Sequence, residues 1–103
     1  MNYIVKARAR QDLKHHWRYI AWDNADAADR FLRAAEETFA RIGETPKIGS
    51  QRSFRRLIGI RSRAIIGFKN YLVFYQMRGT EVVILRVLHG MVNLPRFFKE
   101  RGC

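Results

Sequence analysis

Arg61, Arg63, Tyr75, Arg86 and His89 are the side chains of this sequence whose types suit ribonucleolytic chemistry. Cleaving RNA through its own ribose needs a base to take the 2′-hydroxyl proton and cations to steady the charge that builds on phosphorus. His89 or Tyr75 has the type for the first task, and the arginines for the second. In so arginine-rich a chain these types also occur by chance, and they serve an electrostatic docking surface equally well. Arg86 poses the sharper question, because it stands in the apolar run Val82-Val83-Ile84-Leu85-Arg86-Val87-Leu88. A guanidinium buried there alone would be costly, so it must find a partner inside the fold or reach a working surface. The sequence leaves both readings open. No metal or cofactor is expected: His15 and His16 are adjacent and project about 100° apart on a helix, and the glycines lack phosphate-loop spacing.

The elements that must position these residues are legible in outline. Met1–Arg8 alternates weakly, as a short first strand does. Over Ala9–Trp22 the apolar residues Leu13, Trp17, Ile20 and Ala21 recur at helical spacing, with Lys14, His15 and Arg18 on the other face. Asp12 suits the positive end of that helix's dipole. Trp17 and Trp22 are expected as core and rim of a helical hairpin rather than as base-stacking platforms. Asp23 or Asn24 caps a second helix carrying Ala28, Phe31, Leu32, Ala35, Phe39 and Ile42 inward. On its outer side Asp26–Arg30, Asp29–Arg33 and Glu37–Arg41 are i,i+4 pairs. Gly43 and Pro46 end it.

Lys47–Arg56 is polar and basic and reads as a loop. Leu57–Phe68 reads as a strand with Arg61, Arg63 and Ile65 on one side and Ile60, Ser62, Ala64 and Ile66 on the other. Two further strands, Tyr71–Met77 and Glu81–Leu88, meet in a hairpin over Arg78-Gly79-Thr80. Simple alternation sets Ile84, Arg86 and Leu88 against Val83, Leu85, Val87 and His89. If Arg61 and Arg63 share the open face with Arg86, the three line a basic groove. Pro95 opens a short C-terminal helix that carries Phe97. The expectation is one α+β domain over residues 1–103, with a helical hairpin on a small antiparallel sheet, in the order β-α-α-β-β-β and a short helix.

Composition narrows the partners. Residues 1–44 hold eight Lys/Arg against seven Asp/Glu, whereas residues 45–103 hold twelve against two. Nearly all of the net charge of +11 therefore lies in the second half, which implies an acidic partner. No apolar run approaches the ~20 residues of a membrane span, and Lys6, Arg8 and Arg10 interrupt any leader-like segment. Cys103 is the sole cysteine, so no intrachain disulfide forms and a reducing cytoplasm is expected.

Several pieces fit one pattern: Asp12-Leu13 with Trp17, a second helix ending near Pro46 and Gly49, Gly59-Ile60-Arg61-Ser62, Tyr71-Leu72-Val73-Phe74-Tyr75, and Ile84-Leu85-Arg86-Val87-Leu88-His89-Gly90. Together they resemble the ParE branch of the RelE/ParE toxin superfamily of bacterial type II toxin–antitoxin systems, over nearly the whole chain. That resemblance implies a non-catalytic toxin that poisons DNA gyrase and is neutralised by a cognate antitoxin with an acidic, amphipathic C-terminal segment, in a hetero-oligomer. Arg61, Arg63, Tyr75, Arg86, His89 and Phe97 are the candidate contacts with target or antitoxin. The competing reading is a RelE-like, ribosome-dependent mRNA endoribonuclease using Arg61, Arg86 and His89. The absence of a Tyr after His89 weighs against it. A third reading is a non-toxic basic nucleic-acid-binding module.

Overall fold

The computed structural model describes residues 3–54 and 57–90, and for 52–54 and 57–58 the backbone alone. The order is β1 (Tyr3–Val5), α1 (Ala7–Asp23), α2 (Ala25–Glu44), a 3₁₀ turn (Pro46–Ile48), β2 (Ser50–Phe54), β3 (Leu57–Ile65), β4 (Phe68–Arg78) and β5 (Glu81–His89). The strands form one sheet in the order β1-β5-β4-β3-β2. The four C-terminal strands make an antiparallel meander, while β1 returns to pair parallel with β5. This is the α+β architecture expected, with a mixed sheet because β1 enters from the far side of the helical hairpin.

The expected Lys47–Arg56 loop is in fact the 3₁₀ turn followed by β2. Ser50-Gln51-Arg52-Ser53-Phe54 has no apolar alternation to announce a strand, and it pairs because β3 offers an open edge. The expected C-terminal helix lies outside the described residues.

Local rules account for the helices. The Asn24 side chain accepts from the Ala27 N–H at 3.0 Å and caps α2. Ala28, Phe31, Ala35, Phe39 and Ile42 then form one buried stripe. Phe31, Ala35, Phe39 and Ile42 pack on the sheet face made by Ile65, Val73, Tyr75, Val82, Ile84 and Val87, with Ala9 of α1 completing the core. Thr38 ties α2 to the end of β3: its hydroxyl donates to the Ala34 carbonyl at 2.7 Å and accepts from the Ile66 N–H at 3.1 Å. Of the outer pairs, Glu37–Arg41 closes to 3.3 Å, whereas Asp29 accepts instead from the Trp17 indole N–H at 3.3 Å. The β4–β5 turn puts Gly79 at a φ of 63°, the left-handed region that glycine adopts without strain.

One irregularity governs the site. The β4–β5 register jumps from Tyr75↔Ile84 to Phe74↔Arg86, so Leu85 is an unmatched residue in a β-bulge. Strict alternation fails there. Ile84 and Val87, three apart, both join the core beneath the helices. The run Val82–Leu88, apolar but for Arg86, carries no signal of the extra residue.

Candidate binding surfaces

The bulge, with the short length of β1, decides what Arg86 does. β1 pairs with β5 only from Val82 to Ile84, and the Lys6 N–H to the Ile84 carbonyl closes that ladder at 3.0 Å. Past Ile84 the edge of β5 is met by α1. Asp12 accepts from Arg86 Nε at 2.7 Å, from Arg86 Nη2 at 2.9 Å and from the Val87 N–H at 3.0 Å. One turn on, His16 Nε2 donates to the Val87 carbonyl at 2.7 Å. A carbonyl can only accept, so Nε2 carries the proton in this contact. Asp12 and His16, four apart on one helix face, thus replace a neighbouring strand at Val87. Arg86 is only 5% exposed, and its forked pairing with a carboxylate is the strong form of such a contact. Arg86 is therefore partnered by the helix, and it is not an open-surface cation.

Around this clasp the rings of His16, Tyr71, Phe31 and His89 gather edge to face. Tyr71 stands 4.9 Å from His16, 5.0 Å from Phe31 and 5.1 Å from His89 between centroids. Burial lowers the His16 pKa below 6.5; the Val87 contact and Asp12 oppose this, while His15 and His89 reinforce it. Burial likewise raises the Tyr71 hydroxyl above its ordinary value. Asp12 was legible only as a helix-dipole residue, and His16 only as half of an adjacent pair. The signal that would have found them is their i,i+4 spacing beside the buried stripe, together with an Arg in need of a carboxylate.

Tyr75 and Arg61 form a second internal clasp. Tyr75 is completely buried, and its hydroxyl donates to the Pro46 carbonyl at 2.6 Å and accepts from the Gly49 N–H at 2.9 Å. Arg61 Nη1 donates to the Gly49 carbonyl at 2.9 Å. These bonds hold the 3₁₀ turn against the sheet. A Cβ on Gly49 would stand 2.5 Å from the Tyr75 hydroxyl and 2.7 Å from the Ser62 carbonyl, so only glycine fits there. Burial raises the Tyr75 pKa, with the Gly49 N–H and then Arg61 and Arg63 opposing.

The single basic groove expected from Arg61, Arg63 and Arg86 is not what the register builds. Arg61 faces with Tyr75 and Arg63 with Val73, on the side of the helices, whereas Arg86 pairs with Phe74 and Ser62 on the other. Tyr75 offers a partner no surface, and both Arg61 and Arg86 spend hydrogen bonds inside the fold. Arg63 is exposed and His89 half-buried. Phe97 lies outside the described residues.

The surface missed by sequence reasoning is on α1. Trp22, expected at the rim of the hairpin, is 90% exposed, and Tyr19 is 72% exposed. They stand on the turn of helix that also presents Arg18, and the signal available was their three-residue spacing off the apolar stripe.

In this chain a helical hairpin packs on a mixed five-stranded sheet whose β5 edge is clasped by the first helix. A chain of the "Chromosomal ParDE TA system from P. aeruginosa" superposes with a TM-score of 0.70 at 18% identity, covering 86% of this chain and 95% of that one. Toxin ParE3 of Caulobacter vibrioides is 32% identical over 96 residues, which are 91% of this chain and 92% of that protein. Residues 3–94 match the family described as "ParE toxin of type II toxin-antitoxin system, parDE". The chain belongs to that family. The fold and recognition expected from Arg86-Val87-Leu88-His89-Gly90 and its companion motifs are thereby met.

Proposed function

We propose that this protein is the toxin of a type II toxin–antitoxin pair, that it inhibits DNA gyrase by trapping the cleaved-DNA complex, and that a cognate antitoxin neutralises it in a cytoplasmic hetero-oligomer. The observation that carries the reading is the family match, which spans residues 3–94. The excess of positive charge in the second half of the chain supports an antitoxin segment that is acidic and amphipathic, drawn in by charge and held by burial. Arg63, His89 and Phe97 are its candidate contacts. Arg61, Tyr75 and Arg86 act indirectly, by holding the surface in shape.

The endoribonuclease alternative has less support. Arg61 and Arg86 stand on opposite faces of the sheet, and Arg86 is engaged by Asp12. A phosphoryl-transfer site needs its cations to converge on one phosphate. The decisive experiment incubates the purified protein with gyrase and plasmid and, in parallel, with translating ribosomes. Cleaved-DNA complexes without mRNA cuts are the expected result, and codon-positioned mRNA cleavage would overturn it.

A further inference from the structure

We propose that the outer side of α1 is a binding face for single-stranded DNA, with Arg8, Lys14 and Arg18 along the phosphates and Tyr19 and Trp22 stacking on unpaired bases. All five side chains are exposed. Lys14, Arg18 and Trp22 follow one another at four-residue spacing, so they form a stripe along the helix. Tyr19 stands beside Trp22 at three. Among the described residues no carboxylate pairs with Arg8, Lys14 or Arg18, in contrast to Arg41 and Arg86, which are ion-paired.

A flat ring left 90% exposed beside free cations is what single-strand binding requires, because stacking tolerates any base and the cations follow the backbone. Two other occupants fit less well. A second copy of this chain would bring +11 against +11. An acidic protein segment would need a contiguous apolar patch to bury. Among the described residues of the two helices, however, Tyr19 and Trp22 are the only large hydrophobic side chains left exposed. RNA carries the same phosphates and bases, and the oligouridylate arm of the test separates it from DNA. Asp23 follows Trp22 directly, and Asp26 opens α2 at the same end of the hairpin; both are exposed. These carboxylates repel phosphate, so the strand lies on the N-terminal side of Trp22 and ends its track there.

The inference does not depend on gyrase, since it concerns free DNA. A failed gyrase assay would leave it standing, and its own failure would leave the toxin reading intact.

The test is fluorescence anisotropy of the full chain with a fluorescein-labelled oligothymidylate of about 20 nucleotides, long enough for one or more single-strand site sizes. Quenching of the indole emission is read in parallel. Trp22→Ala is expected to weaken binding about 5- to 100-fold and abolish most of the quenching, whereas Trp22→Phe retains most of the affinity. Lys14→Ala and Arg18→Ala are each expected to flatten the dependence of log K on log salt by about 0.7. Arg33→Ala, on α2, leaves both readouts unchanged. Thermal melts of every variant confirm folding, which these exposed positions tolerate. Wild-type affinity in Trp22→Ala and Tyr19→Ala would overturn the proposal. So would equal binding of a duplex, tighter binding of oligouridylate, or equal competition by polyglutamate, which would assign the face to duplex DNA, RNA or an acidic protein respectively.

Discussion

At the β5 edge, α1 is joined to the sheet by a full ion pair; on the neighbouring strand β4, the 3₁₀ turn is joined to it by a neutral tyrosine hydroxyl. Both clasps are long-range, linking residues 74 and 29 positions apart in the chain, and both satisfy backbone groups that would otherwise be buried unpaired. The difference lies in what removal leaves behind. Without Asp12 a guanidinium stays inside the protein and the Val87 N–H loses its acceptor. Without the Tyr75 hydroxyl, only a neutral N–H and a neutral carbonyl are left. A charge lost from its partner costs more than a dipole, so the two clasps should differ by a factor of about two or more.

The largest effect is therefore expected from Asp12→Ala, at about 3–5 kcal/mol, measured by urea unfolding. Replacing both partners, with Asp12→Leu and Arg86→Met, should recover a large share of that loss. If Asp12→Ala costs no more than Tyr75→Phe, the charge distinction between the clasps fails.

Tyr75→Phe should cost about 1–3 kcal/mol, because two buried backbone groups lose their partner at once. Gly49→Ala should be comparably damaging, since its new Cβ meets the Tyr75 hydroxyl and the Ser62 carbonyl. The double variant should cost less than the sum of the two, because removing the hydroxyl relieves the nearest clash. Strict additivity would show that the hydroxyl is not what excludes a side chain at position 49.

The smallest effect is the pH dependence, and here the clasps should fail at opposite ends of the scale. The His16 pKa is depressed in the folded state, so its contribution is present above the unfolded value of 6.5 and is lost as pH falls through the folded value. The Tyr75 pKa is raised, so its contribution is present below the unfolded value of 10.0 and is lost as pH rises through the folded one. Midpoints of urea unfolding followed from pH 5 to pH 11 should fall at the acid end in the parent and less in His16→Gln. At the alkaline end they should fall less in Tyr75→Phe.

Much of the fold was legible because it is written in local pattern. The buried stripe of α2, a cap at Asp23 or Asn24, the Gly79 hairpin and the two faces of β3 all follow from residues near one another in the chain, and the structure settles the cap on Asn24. Of the ParE motifs, Asp12-Leu13 with Trp17 lies on α1, Tyr71–Tyr75 on β4 and Ile84–His89 on β5 across the bulge. β2 was not legible, because a polar strand is recruited by its neighbour's open edge rather than by its own residues.

The sequence by itself determined that Arg86 needs a carboxylate or a surface, since the cost of burying a lone charge holds in any fold. Only the tertiary structure decided between them. One residue of bulge at Leu85 and a first strand three residues long bring Asp12 and His16 to the β5 edge, across 74 and 71 positions of chain. The same packing that buries one side of α1 leaves Tyr19 and Trp22 in water on the other. A period of hydrophobicity names an inner face, but what covers the outer one depends on which elements end where, and that is a property of the assembled fold.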